Sequence, residues 1–77
     1  MNYIWNLEKP LTQMLDYVGG TSPIYIGEAT PGKLTSVAVW RIKKLTYVGG
    51  MVTEVKWASG TLEFDKIWDN RATYTYS

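Results

Sequence analysis

The sequence predicts a mainly β domain: a small antiparallel sheet of four to five strands, curled as a barrel or sandwich, behind an N-terminal arm and one short helix. Three observations predict it. Gly49-Gly50 separates two runs rich in Val, Ile, Thr, Tyr and Trp, and a primed two-residue turn needs the positive φ that glycine supplies. Further turn signals at Pro31-Gly32 and Ala58-Ser59-Gly60 cut the chain into short extended pieces. Apolar and polar residues also alternate along both arms of the central turn, the period of a sheet that is wet on one side.

Taken in order, residues 1–20 form an arm and a short helix, and residues 21–77 the β domain. Met1 to Leu7 read as an extended arm with Tyr3 and Trp5 on one side and Ile4 on the other. A loose terminus is the plain alternative, but two solvated aromatic rings suggest an arm that docks on a neighbouring subunit. Pro10 to Val18 read as one or two helical turns, with Leu11, Met14, Leu15 and Val18 three and four apart and Gly19-Gly20 as the stop. A linker at Gly20-Thr21-Ser22-Pro23 leads to a strand at Ile24-Tyr25-Ile26.

The central hairpin spans Val37 to Trp57. Counted outward from Gly49-Gly50, Val48 faces Met51, Thr46 faces Thr53, Lys44 faces Val55 and Ile42 faces Trp57, and Trp40 and Ala38 extend the same core-facing side. The opposite side carries Arg41, Lys43, Glu54 and Lys56 near the base and Leu45, Tyr47 and Val52 towards the tip. In this register Lys43 and Lys56 sit opposite one another and form a basic stripe with Arg41. The stripe is either a solvated face or a docking patch for an acidic partner. Tyr-Val-Gly-Gly occurs at Tyr17–Gly20 and again at Tyr47–Gly50, with flanks that do not match, so it is read as coincidence rather than a repeat.

After the hairpin, Thr61 to Phe64 form a third short pairing, and Asp65 to Asn70 a helical or 3₁₀ turn that lays Phe64, Ile67 and Trp68 on the core. Arg71 to Tyr76 alternate as a closing strand. Trp40, Trp57 and Trp68 are expected to fill the core.

Chemistry is scarce. The chain has 77 residues, no Cys, no His and a formal charge of +1. That leaves no disulfide framework, zinc site, thiol or imidazole nucleophile, and no dense Asp/Asn loop for calcium. Eight basic and seven acidic residues, spread along the chain, lack the clustered basic footprint of nucleic-acid binding. No stretch approaches the ~20 apolar residues of a membrane span. The chain reads as soluble and made in the cytoplasm. The glycines at 27 and 32 lack the Gly-Lys-Ser/Thr ending of a phosphate cradle. Asp65 and Asp69 stand four apart with no base, nucleophile or ligand set beside them. The expectation is therefore no enzyme, no cofactor, no metal and no small-molecule substrate. A core this small rarely supplies more than ~3–5 kcal/mol, so association with other chains, as a homo-oligomer or in many copies, is the expected source of further stability.

Tyr25-Ile26-Gly27-Glu28-Ala29, Pro31-Gly32, Thr35-Ser36 and Trp40-Arg41-Ile42-Lys43-Lys44 are followed by Trp57, Gly60, Phe64-Asp65, Trp68-Asp69-Asn70-Arg71 and Tyr76-Ser77. This series, over Tyr25 to Ser77, resembles small proteins of tailed-bacteriophage and prophage genomes of the minor virion-component type. The resemblance implies a structural role and a place in the virion, on the capsid surface, neck, tail or fibre, among other virion proteins. Partner contacts are expected at Tyr3, Trp5, Leu45, Tyr47 and Val52, with Arg41, Lys43 and Lys56 as the charged patch. The competing reading is a carbohydrate-binding module stacking a host glycan on Trp5, Tyr74 or Tyr76.

Overall fold

A computed structural model of the chain describes residues 10–77. The arm with Tyr3 and Trp5 lies outside the described residues. The fold is mainly β, an antiparallel sheet of five strands with one short 3₁₀ helix. The strands are β1 (Thr12–Asp16), β2 (Tyr25–Ala29), β3 (Ala38–Val48), β4 (Met51–Trp57) and β5 (Lys66–Ile67), and the 3₁₀ helix is Trp68–Thr73. They lie in the order β1-β2-β3-β4, and β5 pairs with the first part of β3. The sheet stays open, with β1 and β4 as edges.

Alternation along β3 sets the core. Trp40 and Ile42 point to one face and are fully buried with Ala29, Ala58 and Trp68. Met14, Tyr25, Val39, Tyr74 and Tyr76 pack around them. Each large side chain so covered contributes about 1.5–3 kcal/mol. The lid over this face is the 3₁₀ helix and the chain after it. Trp68 meets Trp40 with ring centroids 6.2 Å apart, and Trp40 Nε1 donates to the Leu34 carbonyl at 2.9 Å. Gly27 makes room beneath them: a Cβ there would stand 2.4 Å from a ring carbon of Trp68. Arg71 stacks over Trp68 at 4.5 Å and donates to Asp16 at 2.7 Å, tying the lid to β1.

The Gly49-Gly50 turn forms as the sequence predicts, with φ of 61° and 83°. Its register does not hold beyond it. Val48 faces Met51 and Tyr47 faces Val52, but Thr46 then faces Glu54, which leaves Thr53 as a bulge whose hydroxyl donates to Thr46 O at 3.3 Å. One extra residue moves every later side chain of β4 to the other face. Lys44 therefore faces Lys56 and Lys43 faces Trp57, in place of the expected Lys44–Val55 and Ile42–Trp57 pairs. Packing explains the choice. Ala58, not Trp57, falls beside Ile42 beneath the returning chain, where it bridges to Tyr76 and is fully buried. Trp57 is half-buried on the opposite face, and Ala38 is exposed.

Three other expectations are corrected. Pro10 to Val18 are not helical; Thr12–Asp16 are an edge strand, because hydrogen bonding to β2 and the seat of Met14 against the core outweigh a weak i, i+3, i+4 pattern. Thr61 to Phe64 make no pairing; Lys66–Ile67 do so instead. Arg71 to Tyr76 are not a regular strand, since the 3₁₀ helix runs to Thr73 and only Tyr76 bridges to Ala58. Tyr74 and Tyr76 are held by their hydroxyls: Tyr74 Oη accepts from Ile67 N at 2.8 Å and Tyr76 Oη donates to Arg71 O at 2.7 Å. Burial, with Tyr25 and Tyr74 nearby, pushes the Tyr76 hydroxyl pKa well up.

Candidate interaction surface

The face opposite the core has no second layer among the described residues. By register, Leu15, Ile26, Lys43 and Trp57 make one row across it, Ile24, Leu45 and Val55 a second, and Gln13, Glu28 and Arg41 a third. Most of these residues are only half-buried. The third row is closed on itself. Glu28 accepts from Arg41 at 2.7 Å and from Gln13 at 2.9 Å, with Lys43 Nζ at 3.9 Å. Burial pushes its carboxyl pKa up, but these partners outweigh burial and leave it below the ordinary range. Arg41 also lies 4.7 Å from the Phe64 ring and 5.6 Å from Trp57, which Lys43 approaches at 5.3 Å.

This arrangement dissolves the expected basic stripe. Arg41 and Lys43 share Glu28 and the Trp57 ring on the open face, while Lys56 is on the core-facing side of β4, 3.7 Å from Glu54. The bulge separates them. Lys44, facing Lys56, lies 5.8 Å from the Tyr25 ring and 6.0 Å from Tyr76.

The outer hairpin carries the apolar surface. Val48 and Met51 are 64% and 70% exposed, and Val52 and Val55 both 48%. Of the expected tip set, Val52 is exposed, whereas Leu45 and Tyr47 are half-buried. Tyr47 Oη donates to Pro23 O at 2.7 Å, which ties the hairpin to the β1–β2 connection. Backbone direction adds an open edge. Ala58 N donates to Ile42 O at 2.8 Å, so residues 58, 56 and 54 turn their amides to β3, and Trp57 and Val55 turn theirs outward. Trp57 is answered by Ser77 in both directions at 3.1 Å; Val55 has no such partner among the described residues.

A cleft of about 420 Å³ opens at the same end of the sheet, lined by Tyr17, Val18, Ser22, Ile24, Tyr47 and Gly50 among others. Both Tyr-Val-Gly-Gly copies border it. They form turns in different phase: Val18 and Gly19 take positive φ in the first, Gly49 and Gly50 in the second, in keeping with two unrelated turns. Val18 at φ 48° is a β-branched residue in the left-handed region, a strained position. Asp16 Oδ1 accepts from Val18 N at 2.9 Å and holds it there. That bond, with Arg71, keeps the Asp16 pKa below its ordinary value. Sequence reasoning missed this cleft, because its walls come from a segment read as helix and linker.

No group of three or more His, Cys, Asp or Glu able to hold a metal occurs among the described residues, and no helix there is long and apolar enough to cross a membrane. Asp65 pairs with the neighbouring Lys66, and Asp69 stands exposed in the first turn of the 3₁₀ helix. Tyr74 and Tyr76, two of the rings expected to stack sugars, are half-buried with their hydroxyls engaged. Compared with family models, curated proteins and solved structures, the chain matches none of them.

Proposed function

We propose that this chain is a structural protein of a tailed-bacteriophage virion, a small accessory subunit attached to the capsid or to the neck, tail or fibre through apolar and β-strand contacts. The observation that carries the contact role is the outer β3–β4 hairpin, where Val48, Met51, Val52 and Val55 are exposed beside an open edge at Val55. Exposed apolar groups next to unpaired backbone groups form the surface that strand addition uses. The virion setting comes from the resemblance over Tyr25 to Ser77.

The test is direct. Particles purified from a host carrying the gene are stripped of loosely bound protein, and the chain is sought by mass spectrometry and by cryo-EM. A fixed copy number, lost in a Val52→Glu/Val55→Glu variant that keeps its fold, is the expected result. Absence of the chain from washed particles overturns the proposal.

A further inference from the structure

The cleft at the β1–β2 turn and the outer edge of β1 point to a second interaction, separate from the hairpin tip and independent of the virion setting. Leu45 N donates to Ile24 O at 2.8 Å, so on β2 residues 26 and 28 face β3, and 25, 27 and 29 face β1; Ile24, just ahead of the strand, turns its carbonyl to β3 and its N–H to Asp16 O at 2.8 Å. Through the register, Thr12, Met14 and Asp16 answer residues 25, 27 and 29. Gln13 and Leu15 therefore turn their backbone N–H and C=O off the edge of the sheet, and Leu15 is 45% exposed. The described chain begins at Pro10, at the Thr12 end of this strand. The cleft lies at the other end, beyond Asp16. To enter its own cleft, the segment 1–9 would have to double back along the whole of β1.

We infer that two copies of this chain pair antiparallel along β1 and that residues 1–9 of each fill the cleft of the other. The edge is self-complementary. A two-fold axis at Met14 sets Gln13 against Leu15 of the second copy and Leu15 against its Gln13, with all the outward backbone groups of these residues joined. Like charges do not meet, since Asp16 falls opposite Thr12. Beyond Asp16 the chain turns back at Tyr17–Gly20, so residue 10 of one copy arrives beside this turn in the other, with Leu7 within reach of Thr21 on the cleft wall. Nine residues extend to about 30 Å, enough to cross the opening. Tyr3, Ile4, Trp5 and Leu7 supply the apolar rings and chains that fit walls made by Tyr17, Val18, Ile24 and Tyr47. The strained Val18 and its Asp16 bond shape the rim on which the segment rests.

The full chain carries no cysteine, so engineered ones report without background. A Leu7→Cys copy mixed with a Thr21→Cys copy is expected to give a mixed disulfide dimer on mild oxidation. Sedimentation equilibrium is expected to show a monomer–dimer equilibrium that Trp5→Ala weakens about thirtyfold, as loss of an aromatic anchor does. Leu15→Pro removes only an outward N–H, which edge strands tolerate, and is expected to abolish the dimer with its thermal melt preserved. If proline disturbs the fold, Leu15→Lys keeps every backbone group and gives the same readout. Two results overturn the inference. One is a chain that stays monomeric to about 1 mM, which leaves the cleft to a different partner. The other is a Leu7→Cys/Thr21→Cys double variant that closes only within single molecules, which means that each segment folds back on its own cleft. Neither result bears on whether the hairpin tip binds a particle.

Discussion

The two ends of β3 live in different environments. Around Trp40 and Ile42 the strand is flanked on both sides and roofed by Trp68, and apolar area there is wholly removed from water. Around Tyr47 and Val48 it pairs with β4 alone and is touched on its other flank by the β1–β2 connection through the Tyr47–Pro23 bond, and four apolar side chains of the outer hairpin stay 48–70% exposed. One strand thus holds the fold together at one end and carries an unfinished surface at the other. Stability and function are drawn from separate stretches of the same element, so substitutions at the two ends should have opposite signatures.

The largest effect is expected at the closed end. Trp68→Ala removes the roof and should cost about 3–5 kcal/mol, close to all that a core of this size supplies, so urea denaturation should find little folded protein. Gly27→Ala forces a methyl into Trp68 and should cost about 1–3 kcal/mol, with a lower urea midpoint and an unchanged slope. Acid gives an intermediate test. Asp16 and Glu28 have folded pKa values below their ordinary 3.8 and 4.5. The unfolded chain therefore binds protons first, and the stability they lend is complete above the ordinary values and falls away as pH drops below them. Thermal melts should decline on the acid side of about pH 4.5, and Asp16→Asn with Glu28→Gln should flatten that decline. The smallest effect on folding is expected at the open end: Val52→Ser and Val55→Ser should shift stability by no more than about 0.5 kcal/mol. If they cost as much as Gly27→Ala, the hairpin tip belongs to the core, and the contrast between the two ends fails.

The closed end was also the more legible in sequence. Trp40 and Ile42, two apart and framed by Arg41 and Lys43, announce a strand with one dry face, and Gly49-Gly50 announces its turn. Trp68 after Phe64-Asp65 points to a short helical turn on the core, which forms three residues later than expected, from Trp68. The open end misled because its evidence is not local. Nothing in Val52-Thr53-Glu54 marks a bulge; the shift pays off only at Ala58, which must lie under Tyr76. Leu11, Met14, Leu15 and Val18 fit helical spacing as well as a short strand, and the sheet edge decides between them. Tyr74 and Tyr76 alternate like strand residues, yet their hydroxyls fix a tighter path. The cleft could not be read at all, because one wall comes from a segment read as helix and linker, and the other from the hairpin, which β2–β3 pairing and the Tyr47–Pro23 bond set beside it.

Thr53 has a genetic consequence. Its side chain is exposed and its hydroxyl makes one long bond, so almost any other amino acid should be accepted there. Loss of its codon should be accepted as well: with Thr53 gone, Glu54 follows Val52, and regular pairing from the Gly49-Gly50 turn sets Thr46 against Glu54, Lys44 against Lys56 and Ile42 against Ala58, the pairs the protein already has. The gene should therefore tolerate both spelling changes and in-frame deletion at this position, and resist an inserted codon, which would push Trp57 into the place of Ala58 under Tyr76.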